Sequence, residues 1–141
     1  MHRAKKIDHI CIAVRSLEEA RKKWEPILGK TKPDDPYVDD VAKINVARYW
    51  IGEVGFELME PTTPDSEVAR FLDKRGEGFY LIGFNVESAR AAQKELSGRG
   101  YPFISDPIPF RDCEYTFVKP KALSGVLVEL IDYKWKDHER G

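Results

Sequence analysis

The chain has 141 residues, 42% of them hydrophobic and 11% aromatic, which suits one ordinary domain with a packed core. Its 23 basic and 24 acidic residues leave a formal net charge of −1. That balance argues against nucleic acid or an anionic membrane as partner, since both call for a strong basic bias. No apolar run approaches the roughly 20 residues of a membrane span, and the start MHRAKKIDH holds no signal-peptide stretch. Cys11 and Cys113 form no CxxC pattern and read as reduced core residues, so a cytoplasmic protein is expected.

In chain order, residues 7–14 (IDHICIAV) read as a strand rich in Ile and Val. Ser16 with Glu19 makes a capping box for a helix whose apolar stripe is Ala20, Trp24, Ile27 and Leu28, closed by Gly29. A short strand is expected around 31–37, then strands at 43–51 and 54–60. Residues 65–75 carry Val68, Phe71 and Leu72 at helical spacing and predict a linking helix. A strand at 79–86 follows, then a helix from the cap Ser88 through Leu96, ended by Gly98 and Gly100. A short strand around 101–106 and strands at 113–119 and 125–132 complete the chain.

The chain is written twice. IDHICIAVRS at 7–16 overlies FYLIGFNVES at 79–88, an offset of 72, and the same offset lays VGFELMEP (54–61) on VLVELIDY (126–133). Val54 meets Val126, Glu57 meets Glu129 and Leu58 meets Leu130. One unit is too small to bury its own sheet, so both are expected to share a single domain, 1–141. Module one covers about 6–61 and module two about 77–133, joined by the helix at 65–75. The predicted class is α+β: two βαβββ modules forming one curved mixed sheet around a cavity.

Strand residues alternate between two faces. In 7–14 the bulky Ile10, Ile12 and Val14 are expected under the helix, leaving His9, Cys11 and Ala13 to line the cavity. By the repeat, Leu81, Gly83 and Asn85 face inward as well. Phe56, Leu58, Val128 and Leu130 read as core, which turns Glu57 and Glu129 inward. A carboxylate in the middle of an apolar strand is costly to bury without a partner or a metal. His9, Glu57 and Glu129 are therefore a candidate constellation for a divalent cation. For one such Glu an outward orientation on a half-exposed strand is the better reading; two at repeat-equivalent positions favour the site.

The segments DHICIAV, FELMEP, EVARFLDKRGEG and SGVLVELIDY resemble methylmalonyl-CoA epimerases of the vicinal-oxygen-chelate superfamily, which also holds glyoxalase I and bleomycin-resistance proteins. The likeness spans 6–133. It implies a glyoxalase-like fold and a metal (Zn, Co, Ni or Mn) held by four strands, with His9, Glu57 and Glu129 matching three ligands. The fourth place, a His in relatives, falls on Leu81, with Tyr80 where a neighbouring His would stand, so metal binding is expected to be weak or absent. A carboxylate that serves such epimerases as a base falls on Asn45, which takes no proton at pH 7. The resemblance thus implies metal-assisted proton abstraction from a small carbon acid or acyl thioester by Glu129 or Glu57, in an incomplete site.

Cys11, Asn45, Tyr80, Leu81, Asn85 and Tyr115 are the expected cavity lining. Cys11 lies one strand period, roughly 6.8 Å, from His9 and reads as lining, not ligand. Tyr115 and Lys119 are candidates for a second base, and Arg111, Lys119 and Lys121 for a basic rim facing a CoA phosphate. Solvated charge is the plainer reading of those three, as it is of His2 and His138 near the ends. Other readings stay open: a non-catalytic protein that sequesters a small molecule, as bleomycin-resistance proteins do, or a metal-free lyase or isomerase of glyoxalase type. The expected partners are a small-molecule substrate, a CoA thioester among the candidates, and a second copy of the chain as a homodimer.

Overall fold

The computed structural model describes residues 1–135. In chain order the elements are β1 (Lys6–Ala13), α1 (Leu17–Leu28), β2 (Tyr37–Asp39), β3 (Ile44–Ile51), β4 (Val54–Pro61), α2 (Glu67–Arg75) and β5 (Gly78–Asn85). They continue with α3 (Ala89–Gly98), β6 (Ile108–Phe110), β7 (Cys113–Val118), a 3-10 turn (Pro120–Ala122) and β8 (Leu127–Ile131). The repeat reappears in the backbone. β1 and β5 begin and end 72 residues apart, and so do the two helix caps, Ser16 and Ser88. Each cap oxygen accepts the backbone N–H three residues on, at 3.2 Å from Glu19 and 3.1 Å from Ala91.

The described residues fold into two compact units, Ile10–Tyr80 and Met1–His9 with 81–135. β1 runs from one into the other.

In the unit Ile10–Tyr80, β2, β3 and β4 form an antiparallel set, with a tight hairpin between β3 and β4. Gly52 turns that hairpin at a φ of 60°, a conformation that costs other residues energy. One face packs under α1: Val14, Ala20, Ala47, Tyr49 and Leu58 are buried together, with Ile12, Trp24, Leu28 and Phe56 against them. Alternation then sends Val46, Arg48, Glu57 and Met59 to the opposite face of β3 and β4. The expected stripe of α1 loses one member, because Ile27 is 79% exposed. Its neighbours Trp24 and Leu28 already fill the contact with the sheet.

In the other unit, β5 pairs parallel with β8, β8 pairs antiparallel with β7, and β7 pairs antiparallel with β6. Val86, Ala89, Ala92, Val118, Val128 and Leu130 form the core under α3, with Ile82, Phe84 and Leu96 against it. Leu81, Gly83 and Glu129 therefore take the face away from the helix, as their parity predicts.

Both short strands lie later than expected. The first is Tyr37–Asp39, where hydrogen bonds to β3 begin, and the segment before it is held by Asp34 and Asp35 instead. The second is Ile108–Phe110, while 101–106 contributes an isolated bridge from Phe103 to Val118. Propensity marks an extended stretch, but register with a neighbour decides which residues pair.

Leu58→Ala should cost about 3 kcal/mol, because it opens a cavity in a closed core. Ile27→Ala should stay within about 0.5 kcal/mol. Urea unfolding of the two variants checks both values.

Candidate active site

The sequence IDHIC in β1 puts an acid and an imidazole side by side on a buried strand. In the unit that carries His9, the Nδ1 atom of the ring lies 2.8 Å from Asp8 Oδ1, and Nε2 lies 2.9 Å from Glu129 Oε1. All three side chains are buried. Asp8 is further held through Oδ2, which accepts from Asn85 Nδ2 at 2.8 Å and from Trp135 Nε1 at 2.9 Å. The Asn85 amide also donates to the Tyr133 carbonyl at 2.8 Å.

Room for the ring comes from β5. A Cβ on Gly83 would stand 2.5 Å from His9 Cε1 and 2.7 Å from Nε2, so only glycine fits there. Gly83 is also the Cα partner of Glu129 in the parallel pairing of β5 with β8. Glycine thus sets the imidazole directly beside the carboxylate.

The geometry fixes a proton count. A neutral imidazole has one N–H, yet here both ring nitrogens face carboxylate oxygens within hydrogen-bond reach. One further proton is required on the ring or on a carboxyl. Burial alone would raise the Asp8 carboxyl, but the hydrogen bond and charge of His9, with Asn85 and Trp135, outweigh it and hold Asp8 at about 2. Asp8 is therefore ionised near neutrality, which leaves the contact of His9 Nε2 with Glu129 Oε1 as the one across which a proton can be shared. A buried pair sharing a mobile proton can act as a general acid and base.

Beside Glu129 stands an aromatic wall. Phe117 is its Cα partner on β7, Tyr115 lies two residues away, and the rings of Tyr115, Phe117 and Phe110 meet edge to face. Tyr115 thus shares the face of Glu129. Thr116 turns the other way, onto Gln93 of α3.

In the unit Ile10–Tyr80, Glu57 is fully buried and its oxygens accept from three side chains. Cys11 Sγ donates to Oε1 at 3.2 Å, the Tyr37 hydroxyl reaches both oxygens at 3.3 and 3.4 Å, and Arg48 Nε donates to Oε2. Arg48 is the residue directly across the hairpin from Glu57. Its other nitrogens reach Asp35 Oδ2 at 3.1 Å and the Tyr37 hydroxyl at 3.2 Å. Burial opposes the charge on Arg48, but Glu57, Tyr37 and Asp35 outweigh it and hold the guanidinium above its ordinary value.

Two expected lining residues sit elsewhere. Asn45 shares the helix side of β3 with Ala47 and Tyr49, and its amide donates to Glu60 Oε1 at 3.2 Å. Tyr80 turns its ring onto Phe71 of α2, 5.1 Å between centroids. Leu81, by contrast, is buried on the Gly83 face, and Asn85 reaches Asp8. Lys119, Lys121 and Arg111 are exposed. Arg111 also lies over Phe110, Tyr133 and Trp135 at 5.3, 5.7 and 5.9 Å. His2 is half-buried, and its backbone N–H donates to Glu95, so it is not the solvated residue expected. His138 lies outside the described residues. Both cysteines are free; burial, then the charges of Asp132 and Asp112, push the Cys113 thiol up to about 12.

Among the described residues, Cys11 and Glu57, both buried, bring donor atoms within 4.8 Å of each other, the start of a ligand set for a divalent cation. Strand spacing had counted Cys11 as lining only; its thiol belongs with the donors. The charge around Glu57 does not fit such an ion, because Arg48 already neutralises that carboxylate. A dication on the order of 5 Å from a guanidinium is repelled by about 7 kcal/mol at an effective dielectric of about 20. Even a complete structural zinc site is worth only about 10–16 kcal/mol. Leu81 offers no donor to make up the difference.

Two predictions test this geometry. Asp8 sits below its ordinary 3.8, at about 2, so its stabilisation is present above pH ~4 and lost as pH falls from ~4 through about 2. Asp8→Asn should cost roughly 2 kcal/mol at pH 7 and flatten the fall in stability between those limits; acid titration of unfolding checks it. Gly83→Ala should displace the imidazole, cost roughly 1–3 kcal/mol, and shift the His9 ring resonances in NMR spectra.

The profile of the glyoxalase/bleomycin resistance protein/dioxygenase superfamily matches residues 8–117. The uncharacterized protein YqjC of Bacillus subtilis (strain 168) is 36% identical over 94% of this chain and 96% of its own. The mitochondrial methylmalonyl-CoA epimerase of Homo sapiens is 29% identical over 89% of this chain and 72% of its own. A variant methylmalonyl-CoA epimerase of Streptomyces coelicolor, solved in complex with 2-nitronate-propionyl-CoA, superposes with a TM-score of 0.87 at 27% identity. It covers 94% of this chain and 100% of the epimerase chain. No helix among the described residues is long and apolar enough to cross a membrane. The chain has the α+β fold of these epimerases and belongs to the glyoxalase/bleomycin resistance protein/dioxygenase superfamily.

Proposed function

We propose that the chain transfers a proton at the carbon next to the carbonyl of a small acyl thioester, with Glu129 and His9 as the proton-carrying pair. The observation that carries this reading is the buried Asp8–His9–Glu129 link, across which a proton can be shared. With that proton on His9, the Glu129 carboxylate takes the α-proton. The C–H electron pair moves onto the carbonyl oxygen as an enolate, and the imidazolium stabilises the charge by its proximity. Return of the proton from Glu129 restores the carbon acid. Asp8 acts through His9 and is a positioning residue; the wall of Phe110, Tyr115 and Phe117 keeps the carboxylate dry.

The relatives support the substrate class: several are methylmalonyl-CoA epimerases, one solved with a propionyl-CoA analogue. Within this reading His9 and Glu129 are the groups that serve the substrate. Glu57, bound to Arg48, does not act as base. No step runs through a metal. The protein works as a cytoplasmic homodimer.

Epimerisation needs a second proton carrier on the opposite face of the carbon. On the Glu57 side, β3 offers Val46 and Arg48, neither of which exchanges a proton near pH 7. One-sided proton exchange follows, and the same feature favours, as a second reading, a binder that sequesters the thioester without chemistry. In deuterated water, methylmalonyl-CoA should gain deuterium at the α-carbon with retention of configuration, and propionyl-CoA should gain one deuterium there stereospecifically. Glu129→Gln should lower that rate by about 10²- to 10⁴-fold. Tight binding without exchange would favour the sequestering reading, and absence of binding would sink both.

A further inference from the structure

We propose that Arg48 is a built-in cation that takes the electrostatic place of a divalent metal at Glu57 and keeps that carboxylate closed to one. The argument begins in the backbone. The hairpin of β3 and β4 turns at Gly52, and its register makes Arg48 and Glu57 Cα partners. Both project from the face opposite α1, where the side chains are 2% and 1% exposed. At that depth a carboxylate needs a countercharge, and the hairpin supplies it from the neighbouring strand.

The cation is held on every side. Nε is committed to Glu57 Oε2, Nη1 to Asp35 and Nη2 to the Tyr37 hydroxyl. The plane of the guanidinium lies over two rings, with its central carbon 4.9 Å from the centroid of Tyr37 and 5.7 Å from that of Trp50. Two carboxylates, Glu57 and Asp35, share the one charge, which keeps the proton on the guanidinium. A metal arriving at Glu57 would have to displace a group fixed at three nitrogens and two rings. Cys11, the soft donor beside Glu57, already gives its S–H to Oε1.

This assignment is independent of the proposed proton transfer, because it is read by metal binding alone. Cobalt(II), whose visible absorption reports its ligands, is titrated into the wild type, Arg48→Met, Arg48→Lys and Glu57→Gln, with thermal unfolding followed in parallel. Arg48→Met should bind cobalt about 10- to 100-fold more tightly than the wild type, and Arg48→Lys, which keeps the charge, should not. Arg48→Met leaves Glu57 buried without its cation and is the variant at risk of not folding. Recovery of its folded state on cobalt addition supports the proposal. Glu57→Gln decides the matter without that variant: cobalt affinity of the wild type, at whatever strength, should not fall when Glu57 loses its charge. A fall of tenfold or more in Glu57→Gln overturns the proposal, as does a folded Arg48→Met that binds cobalt no better than the wild type.

Discussion

A carboxylate removed from water must be given a proton, a cation or a set of donors, and Asp8, Glu57 and Glu129 are all removed from water in this chain. The strand sequences around them are apolar because the sheets carry cores on their helix-covered faces. Glu57 and Glu129 therefore sit on the other face, and the residues that answer the acids follow from what the strands bring beside them. His9, Asn85 and Trp135 answer Asp8, His9 also answers Glu129, and Arg48 answers Glu57.

The two answers differ in kind. Glu129 faces an imidazole, a group that gives and takes protons near neutral pH. Glu57 is balanced by a guanidinium, which does not release its proton. A substrate anion created near Glu129 can be met by rearrangement of one proton. The charge around Glu57 stays fixed throughout. This difference in kind is why the proposed base is Glu129, although the sequence alone presents both glutamates as equals.

Much of this was legible in the sequence. The repeat located β1 and β5 to within one residue, alternation put Glu129 and Glu57 on the faces away from the helices, and the spacing of Val68, Phe71 and Leu72 found α2. What escaped was decided by cross-strand partners. Arg48 lies in INVARYWI, where an arginine looks like an outward-facing residue; the short hairpin at Gly52 pairs it with Glu57, a signal available by counting back from the turn. Asp8 was visible beside His9, but its role depends on Asn85 and on Trp135, 127 positions away in sequence. Asn45 and Tyr80 were aligned by likeness to relatives, without regard to strand parity, and both turned out on other faces. Ile27 fits helical spacing but lies just beyond the strip that the sheet covers.

The close approach of Gly83 to the His9 ring ties two positions, 74 residues apart, into one unit of sequence change. A side chain at 83 and the imidazole at 9 compete for one space, so a change at 83 is easiest once the imidazole has gone. The duplication within the chain offers a second copy of the same pair. Shifted by 72, His9 falls on Leu81 and Gly83 falls on Cys11. Neither the imidazole nor the glycine is present in that copy. Each pair takes one member from either half of the duplicated chain: His9 with Gly83 is the coupled pair, and Leu81 with Cys11 is its counterpart in which both members differ, position 11 carrying a thiol.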